Sequence, residues 1–238
     1  MSEPAVRRVV TQDLAGAVAE RLAVAVRAGG HIALAGGSTP RAAYERLAEM
    51  MLPWGRCALW FGDERCVPPD DERSNFGMVR SALLGRVPQP GPRAERMEGE
   101  RGPDDGAADY EQRLHDEFGP GMPQLDLVLL GIGTDGHCAS LFPGRPEVLE
   151  RERAVVGVKD AGLEPYVPRI TLTLPAINSA RSVLFAVAGA DKAQVVARAI
   201  AGDPQLPAGC VSPHSGDLTF MLDAAAAGET AASAEAGL

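Results

Sequence analysis

The chain has no basic stretch. Nucleic acid and anionic membrane surfaces are gripped by clustered Lys and Arg. A formal net charge of −9 with scattered arginines therefore excludes both as main partners. Small anions stay open, because a few placed cations hold them. Lysine is almost absent: of 23 basic residues only Lys159 and Lys192 are lysine. Cysteine is sparse too. Cys57, Cys66, Cys138 and Cys210 make no CxxC pair and no zinc spacing. Free thiols in a reducing cytoplasm are expected, with no metal. No apolar run approaches the ~20 residues of a membrane span. The start, MSEPAVRRVV, lacks the apolar core of a signal peptide. GxSxG and HExxH are also missing, so neither a serine nucleophile elbow nor a zincin site is indicated.

What is present is a chain of 238 residues, 45% hydrophobic, able to bury a sizeable core. Apolar strand-like runs alternate with helical patterns. Val6–Val10 reads as a strand. Thr11 is placed to cap a helix over Asp13–Ala28, with Leu14, Val18, Leu22 and Val26 on one face. His31–Ala35 reads as a strand, and Pro40 opens a helix to about Met51. Cys57–Gly62 is a strand followed by a loop, DERCVPPDDERSN. Ser74 caps a helix to Leu84. Arg86–Glu100 reads as a surface connection with a short strand near Met97, and Pro103–Phe118 as a helix. Further strands fall at Leu125–Leu130, Ala154–Lys159, Arg169–Leu174, Ser182–Ala188 and Leu218–Leu222, with a helix over Asp191–Ala201. This alternation predicts an α/β fold, a Rossmann-like, doubly wound and mainly parallel sheet with helices on both faces. One domain is expected over residues 1–223, then an Ala/Gly-rich disordered tail from Ala224.

Five loops at strand ends carry candidate chemistry, as the carboxyl edge of such a sheet requires. Gly36-Gly37-Ser38-Thr39-Pro40 converges backbone amides and hydroxyls at a helix N-terminus, which suits a phosphate. Gly131-Ile132-Gly133-Thr134-Asp135-Gly136 matches GxGxxG, but Pro143 and Gly144 break the chain too soon for a dinucleotide helix. His137 stands just past it, two residues from Asp135, where a neutral imidazole can act as general base. His31, His115 and His214 lack such a setting. Asp63-Glu64-Arg65 follows a strand, and the Arg65 fork suits a phosphate or an oxyanion. Lys192 begins a helix, where the dipole disfavours a cation unless an anion is captured there. Arg169 is a second candidate cation. Cys138 adjoins His137, so its oxidation is an expected route to inactivation.

Taken in order, GGSTP, WFGDER, SNFGM, LDLVLLGIGTDGHCASLFPG, RITLTLPAINSA and VLFAVAGADKAQVV closely resemble the 6-phosphogluconolactonase family. The similarity runs from about Val6 to Leu222. The resemblance implies hydrolysis of 6-phosphoglucono-δ-lactone to 6-phosphogluconate in the oxidative pentose phosphate pathway, with no metal and no organic cofactor. It places the family's catalytic His on His137, its DER arginine on Arg65, its helix-start lysine on Lys192 and its RIT arginine on Arg169. Relatives often carry lysine and several prolines before RIT. Here KDAGLEPYVPR has only Pro165 and Pro168, so a different loop shape is expected and Lys159 is left out.

The expected mechanism has His137 activating a water, with Arg65 or loop amides near Gly133 holding the oxyanion. The Gly36–Thr39 loop, Lys192 and Arg169 hold the phosphate. Asp135 and Asp63 orient either His137 or sugar hydroxyls, and the sequence does not assign which does which. The nearest alternative is a glucosamine-6-phosphate deaminase/isomerase activity. Such proteins resemble GHIAFNEP after the His, with a functional Glu that this chain lacks. A sugar-phosphate sensor fused to a DNA-binding module is excluded by the ~30 residues ahead of GGSTP, too few for a helix-turn-helix. A monomer or weak homodimer is expected.

Overall fold

A computed structural model describes residues 6–229. Seven parallel strands form the main sheet in the order β1-β10-β9-β6-β2-β3-β5. They are β1 (Val6–Val10), β2 (His31–Leu34), β3 (Ala58–Phe61), β5 (Arg93–Ala94), β6 (Leu127–Leu130), β9 (Ser182–Val187) and β10 (Asp217–Leu222). Every residue of β3, β6 and β9 is buried. Both faces of the sheet are therefore covered, as a parallel sheet built from helical crossovers demands. The expected α/β architecture is what the chain adopts.

The helices are α1 (Leu14–Ala28), α2 (Ser38–Ala48), α3 (Asn75–Val79), α4 (Pro103–Phe118), α5 (Leu174–Asn178) and α6 (Ala193–Ile200). In α1 the predicted face is the buried one: Val18, Leu22 and Val26 are fully inaccessible. Each such side chain contributes about 1.5–3 kcal/mol of transfer free energy. The cap is Asp13 rather than Thr11, because its carboxylate accepts the Gly16 N–H at 3.0 Å, while Thr11 Oγ1 accepts from Asp13 N. Gly29, at φ 72°, ends the helix in the left-handed region. Helix α2 starts two residues before the expected Pro40. Ser74 caps α3 as predicted, accepting from Gly77 N, and a π-type turn carries the chain on to Leu84.

Three further sequence expectations need correction. Asp63–Arg65 is not loop but strand β4. It pairs antiparallel with β8 (Arg169–Leu172), which pairs with β7 (Val155–Val158), giving a second, three-stranded sheet. The strand expected near Met97 lies at Arg93–Ala94, and Met97 is instead a buried core residue. Ala224 does not open the expected disordered tail: Ala226 is fully buried, and its N–H donates to Asp223 Oδ1 at 2.7 Å. Residues 230–238 of that tail lie outside the described residues.

Candidate active site

The strand order reverses at β2. From there the chain steps outward through β3 and β5, then returns to lay β6 on the other side of β2. Loops leaving β2 and β6 therefore diverge, opening a crevice at the carboxyl edge. A cleft of about 460 Å³ lies there, and Gly36, Gly37, Ser38, Thr39, Asp63, Arg65, Gly133, His137, Arg169 and Lys192 all line it. These residues come from five separate stretches of chain.

The loop after β6 folds around its own backbone. Gly133 N–H donates to His137 O and Gly136 N–H to Gly133 O, each at 2.9 Å. A side chain at Gly133 would overlap the His137 ring. The glycine is thus needed for the space it leaves. Its N–H is already spent on His137 O, which removes it as an oxyanion donor. Asp135 Oδ1 accepts the His137 backbone N–H at 3.1 Å and lies 2.6 Å from ring Nδ1. An ionised carboxylate can only accept, so Nδ1 is the donor, and in the neutral imidazole Nε2 is then the nitrogen with the free lone pair. Burial pushes the Asp135 carboxyl up, but the hydrogen bond and charge of His137 outweigh it, and the net displacement is downward. Asp135 does not itself line the cleft. Phe142 packs on the other side of the imidazole, ring centroids 4.8 Å apart.

Helix α2 aims its N-terminus into the cleft. Gly37, at φ 104°, precedes it and offers no side-chain cap, so the first amides of the helix are open to an anion. The Tyr44 hydroxyl donates to Ala35 O at 2.8 Å and accepts from Ala35 N at 3.0 Å, which pins the strand end that feeds this loop.

The β4–β8 pairing sets Arg65 directly opposite Arg169. Like charges across an antiparallel pair repel, and their convergence on one cleft suits an anionic ligand. Burial pulls the Arg169 guanidinium down from its usual value, and Arg65 adds to this against the pull of Asp63. Arg169 also donates to Leu163 O, Pro165 O and Val167 O. It therefore holds the loop that departs from the family pattern, a role the sequence did not reveal. Arg65 Nη1 donates to Arg73 O at 2.6 Å, while its Nε is buried with no partner among the described residues.

Lys192 follows Gly189, which adopts φ 101°. Gly189 N–H is held by both Asp223 carboxylate oxygens, at 3.2 and 3.1 Å. The Lys192 ammonium lies 3.8 Å from the exposed Asp191, too far for a strong bond, and remains available to the cleft. Lys159, by contrast, pairs with Asp104 on the surface.

Asp63 is 8% exposed, and the hydrogen bonds of its carboxylate go to other residues than His137. It accepts from Ser140 Oγ at 2.6 Å and from Asn75 Nδ2 at 3.1 Å. Of the two aspartates left open by the sequence, Asp135 is the one bonded to the imidazole. Asn75, Ser140, Glu64 and Asp223 were missed as site residues. Asn75 and Ser140 stand inside quoted motifs, but nothing local marks what they touch. Among the described residues, no three His, Cys, Asp or Glu side chains converge as a metal-ligand set.

Cys138 is fully buried, and burial pushes its thiol well above the usual range. Its expected oxidative sensitivity is corrected accordingly, since thiolate character and access govern that chemistry. Iodoacetamide at neutral pH is expected to leave Cys138 unmodified in the folded protein while labelling it in denaturant, as read by peptide mass spectrometry.

Fold and site together define a doubly wound α/β protein whose crevice is built for a small anionic ligand. The chain belongs to the family described as glucosamine-6-phosphate isomerases/6-phosphogluconolactonase, whose profile matches residues 5–220. It is 44% identical over 209 residues to a 6-phosphogluconolactonase of Nostoc sp. strain PCC 7120, covering 83% of each chain. It is 39% identical over 225 residues to the Homo sapiens 6-phosphogluconolactonase, covering 90% of this chain and 87% of that one. The solved 6-phosphogluconolactonase from Trypanosoma cruzi superposes with a TM-score of 0.85 at 30% identity, over 97% of this chain and 98% of the other.

Proposed function

We propose that the chain hydrolyses 6-phospho-D-glucono-1,5-lactone to 6-phospho-D-gluconate, the lactonase step of the oxidative pentose phosphate pathway. The observation that carries this is the Asp135–His137 pair, which presents a bare Nε2 to a cleft that also gathers Arg65, Arg169, Lys192 and the α2 N-terminus. His137 Nε2 takes a proton from a water as that water attacks the lactone carbonyl C1. The same proton then passes to the ring oxygen as the C–O bond breaks, giving a free hydroxyl and a carboxylic acid, and the acid releases its proton to solvent to leave the carboxylate. Arg65, which lines the cleft, stabilises the tetrahedral oxyanion. The amides of Gly37, Ser38 and Thr39, with Lys192 and Arg169, hold the phosphate, and this remote binding fixes the orientation of C1.

The deaminase alternative finds no support at the position after His137 where that motif carries Glu. Phe142 stands there, packed on the imidazole. The four cysteines are free, which fits a reducing cytoplasm. No described helix is long and apolar enough to cross a membrane. Activity as a monomer or weak homodimer is part of this proposal.

The direct test is the decay of freshly made lactone with and without protein, in the presence of a chelator, with the spontaneous rate subtracted. Acceleration is expected; a rate equal to the spontaneous one would overturn the proposal. Lys192→Ala is expected to raise KM by roughly 10–100-fold, the worth of one charge-assisted hydrogen bond, with kcat changed much less. An unchanged KM would remove Lys192 from phosphate binding.

A further inference from the structure

Asp63 has the setting of a substrate ligand, yet nothing in the general-base chemistry uses it. It sits where β3 passes into β4, 8% exposed and lining the cleft. Its Oδ2 accepts from Ser140 Oγ at 2.6 Å, and its Oδ1 from Asn75 Nδ2 at 3.1 Å. The Asn75 amide also donates to Asp63 O at 2.9 Å. A carboxylate has about four acceptor sites. These two bonds use one on each oxygen and lock the plane of the group, leaving further acceptor capacity toward the cleft.

The other side chains that face the ligand are mostly donors: Arg65, Arg169 and Lys192. Apart from Asp63, the carboxylate of the lining is Asp191, which is largely exposed. A sugar lactone brings hydroxyl donors as well as acceptor oxygens. Asp63 is the buried acceptor placed to receive one of those donors.

Ser140 is fully buried and is itself tied down. Its N–H donates to Thr171 Oγ1 at 3.1 Å, and Thr171 is the register partner of Asp63 across β4–β8. Ala139, just before it, adopts φ 49°, in the left-handed region that favours glycine. That turn swings Ser140 back onto Asp63, two residues after His137 enters the cleft. One loop thus delivers the imidazole and fixes the carboxylate.

We propose that Ser140, with Asn75, is a positioning residue that holds Asp63 as the acceptor for one ring hydroxyl of the substrate, making the pair a determinant of which sugar lactone is accepted. This rests on the lactonase activity proposed above. The test compares the phosphorylated lactone with its 2-, 3- and 4-deoxy analogues on five proteins: the unaltered chain, Ser140→Ala, Ser140→Cys, Asp63→Asn and the variant that combines Ser140→Ala with Asp63→Asn. A site built to bind a hydroxyl strongly rejects the analogue lacking it. The unaltered protein is expected to lose on the order of 30-fold in kcat/KM for one analogue only.

Ser140→Ala and Ser140→Cys are expected to lose roughly 10-fold on the full substrate, mainly through KM, and to discriminate against that analogue by less than about 3-fold. Combining Ser140→Ala with Asp63→Asn is expected to add nothing to Asp63→Asn alone, because coupled residues are not additive. Asp63→Asn on the same analogues carries the test independently of how the Ser140 variants fold. Unchanged discrimination in Asp63→Asn, or losses that multiply in the double variant, would overturn the inference and leave the lactonase activity standing. No acceleration of the lactone by the unaltered protein would instead overturn the activity, and the inference with it.

Discussion

Replacing His137 with alanine is expected to lower kcat for the phosphorylated lactone by ~10²–10⁴-fold, the range a positioned general base contributes. KM is expected to change little, because the phosphate ligands come from other loops. The size of the effect follows from the geometry. Nδ1 is committed to Asp135 at 2.6 Å, so Nε2 is the basic atom that faces the cleft, and no other described histidine lines it. His31 illustrates the contrast. Its Nδ1 accepts from Trp60 Nε1 at 3.1 Å and its Nε2 lies 3.5 Å from Glu117, at the far end of β2. Asp135→Asn should give a smaller loss of the same kind, since an amide in place of the carboxylate permits the wrong tautomer. Initial rates in a pH-stat, corrected for spontaneous hydrolysis, decide the matter. Near-full kcat in His137→Ala would remove the imidazole from the chemistry.

Glu64→Leu is expected to cost about 3–5 kcal/mol of folding free energy, the range for stripping one partner from a buried charged cluster. Glu64 is 2% exposed. Its carboxylate accepts from Arg65 N, Asn75 N and Phe76 N at 2.7 Å each, and from Ser74 Oγ at 3.0 Å. Leucine would leave three amides without that acceptor, Asn75 and Phe76 at the start of α3 and Arg65 in β4. For a chain of this length the melting temperature should fall by roughly 10 °C, at about 2–4 °C per kcal/mol. Because Arg65 and Asn75 hang on the same carboxylate, activity should fall along with stability.

Burial raises the Glu64 carboxyl, with the hydrogen bonds from Phe76, Asn75, Arg65 and Ser74 pulling it partway back. A raised carboxyl holds its proton more firmly in the folded state. Its contribution to stability therefore declines as pH climbs from the ordinary glutamate range through the raised value. Glu64→Gln should flatten that part of the pH–stability curve. A Glu64→Leu melt within 2 °C of the unaltered protein, or an unchanged curve in Glu64→Gln, would contradict this account.

The sequence alone determined the features that follow from local chain chemistry. Pro103–Phe118 is a helix at the predicted limits, with Pro at its first position and acidic residues in the first turn. The main strands are apolar runs cut off by glycine or charge, and their ends mark the cleft. His137, Arg65, Lys192 and the Gly36–Thr39 loop were legible as cleft residues for this reason, because each follows such an end, whereas Arg169 opens a strand.

Tertiary structure alone decided what touches what. The β4–β8–β7 sheet joins Asp63–Arg65 to residues more than a hundred positions away, and three residues of strand carry no periodic signal. That pairing faces Arg65 with Arg169 and brings Ser140 onto Asp63. Helix α5 was missed although Thr173 and Pro175 mark a helix start, because its five residues are too few to show a helical period after the apolar strand. Which aspartate serves the imidazole was likewise a question of distance. Asp135 lies two residues away and closes a short loop, whereas Asp63 is turned toward Ser140 and Asn75. Local sequence sets backbone preference and polarity, but hydrogen-bond partners across a fold are chosen by packing.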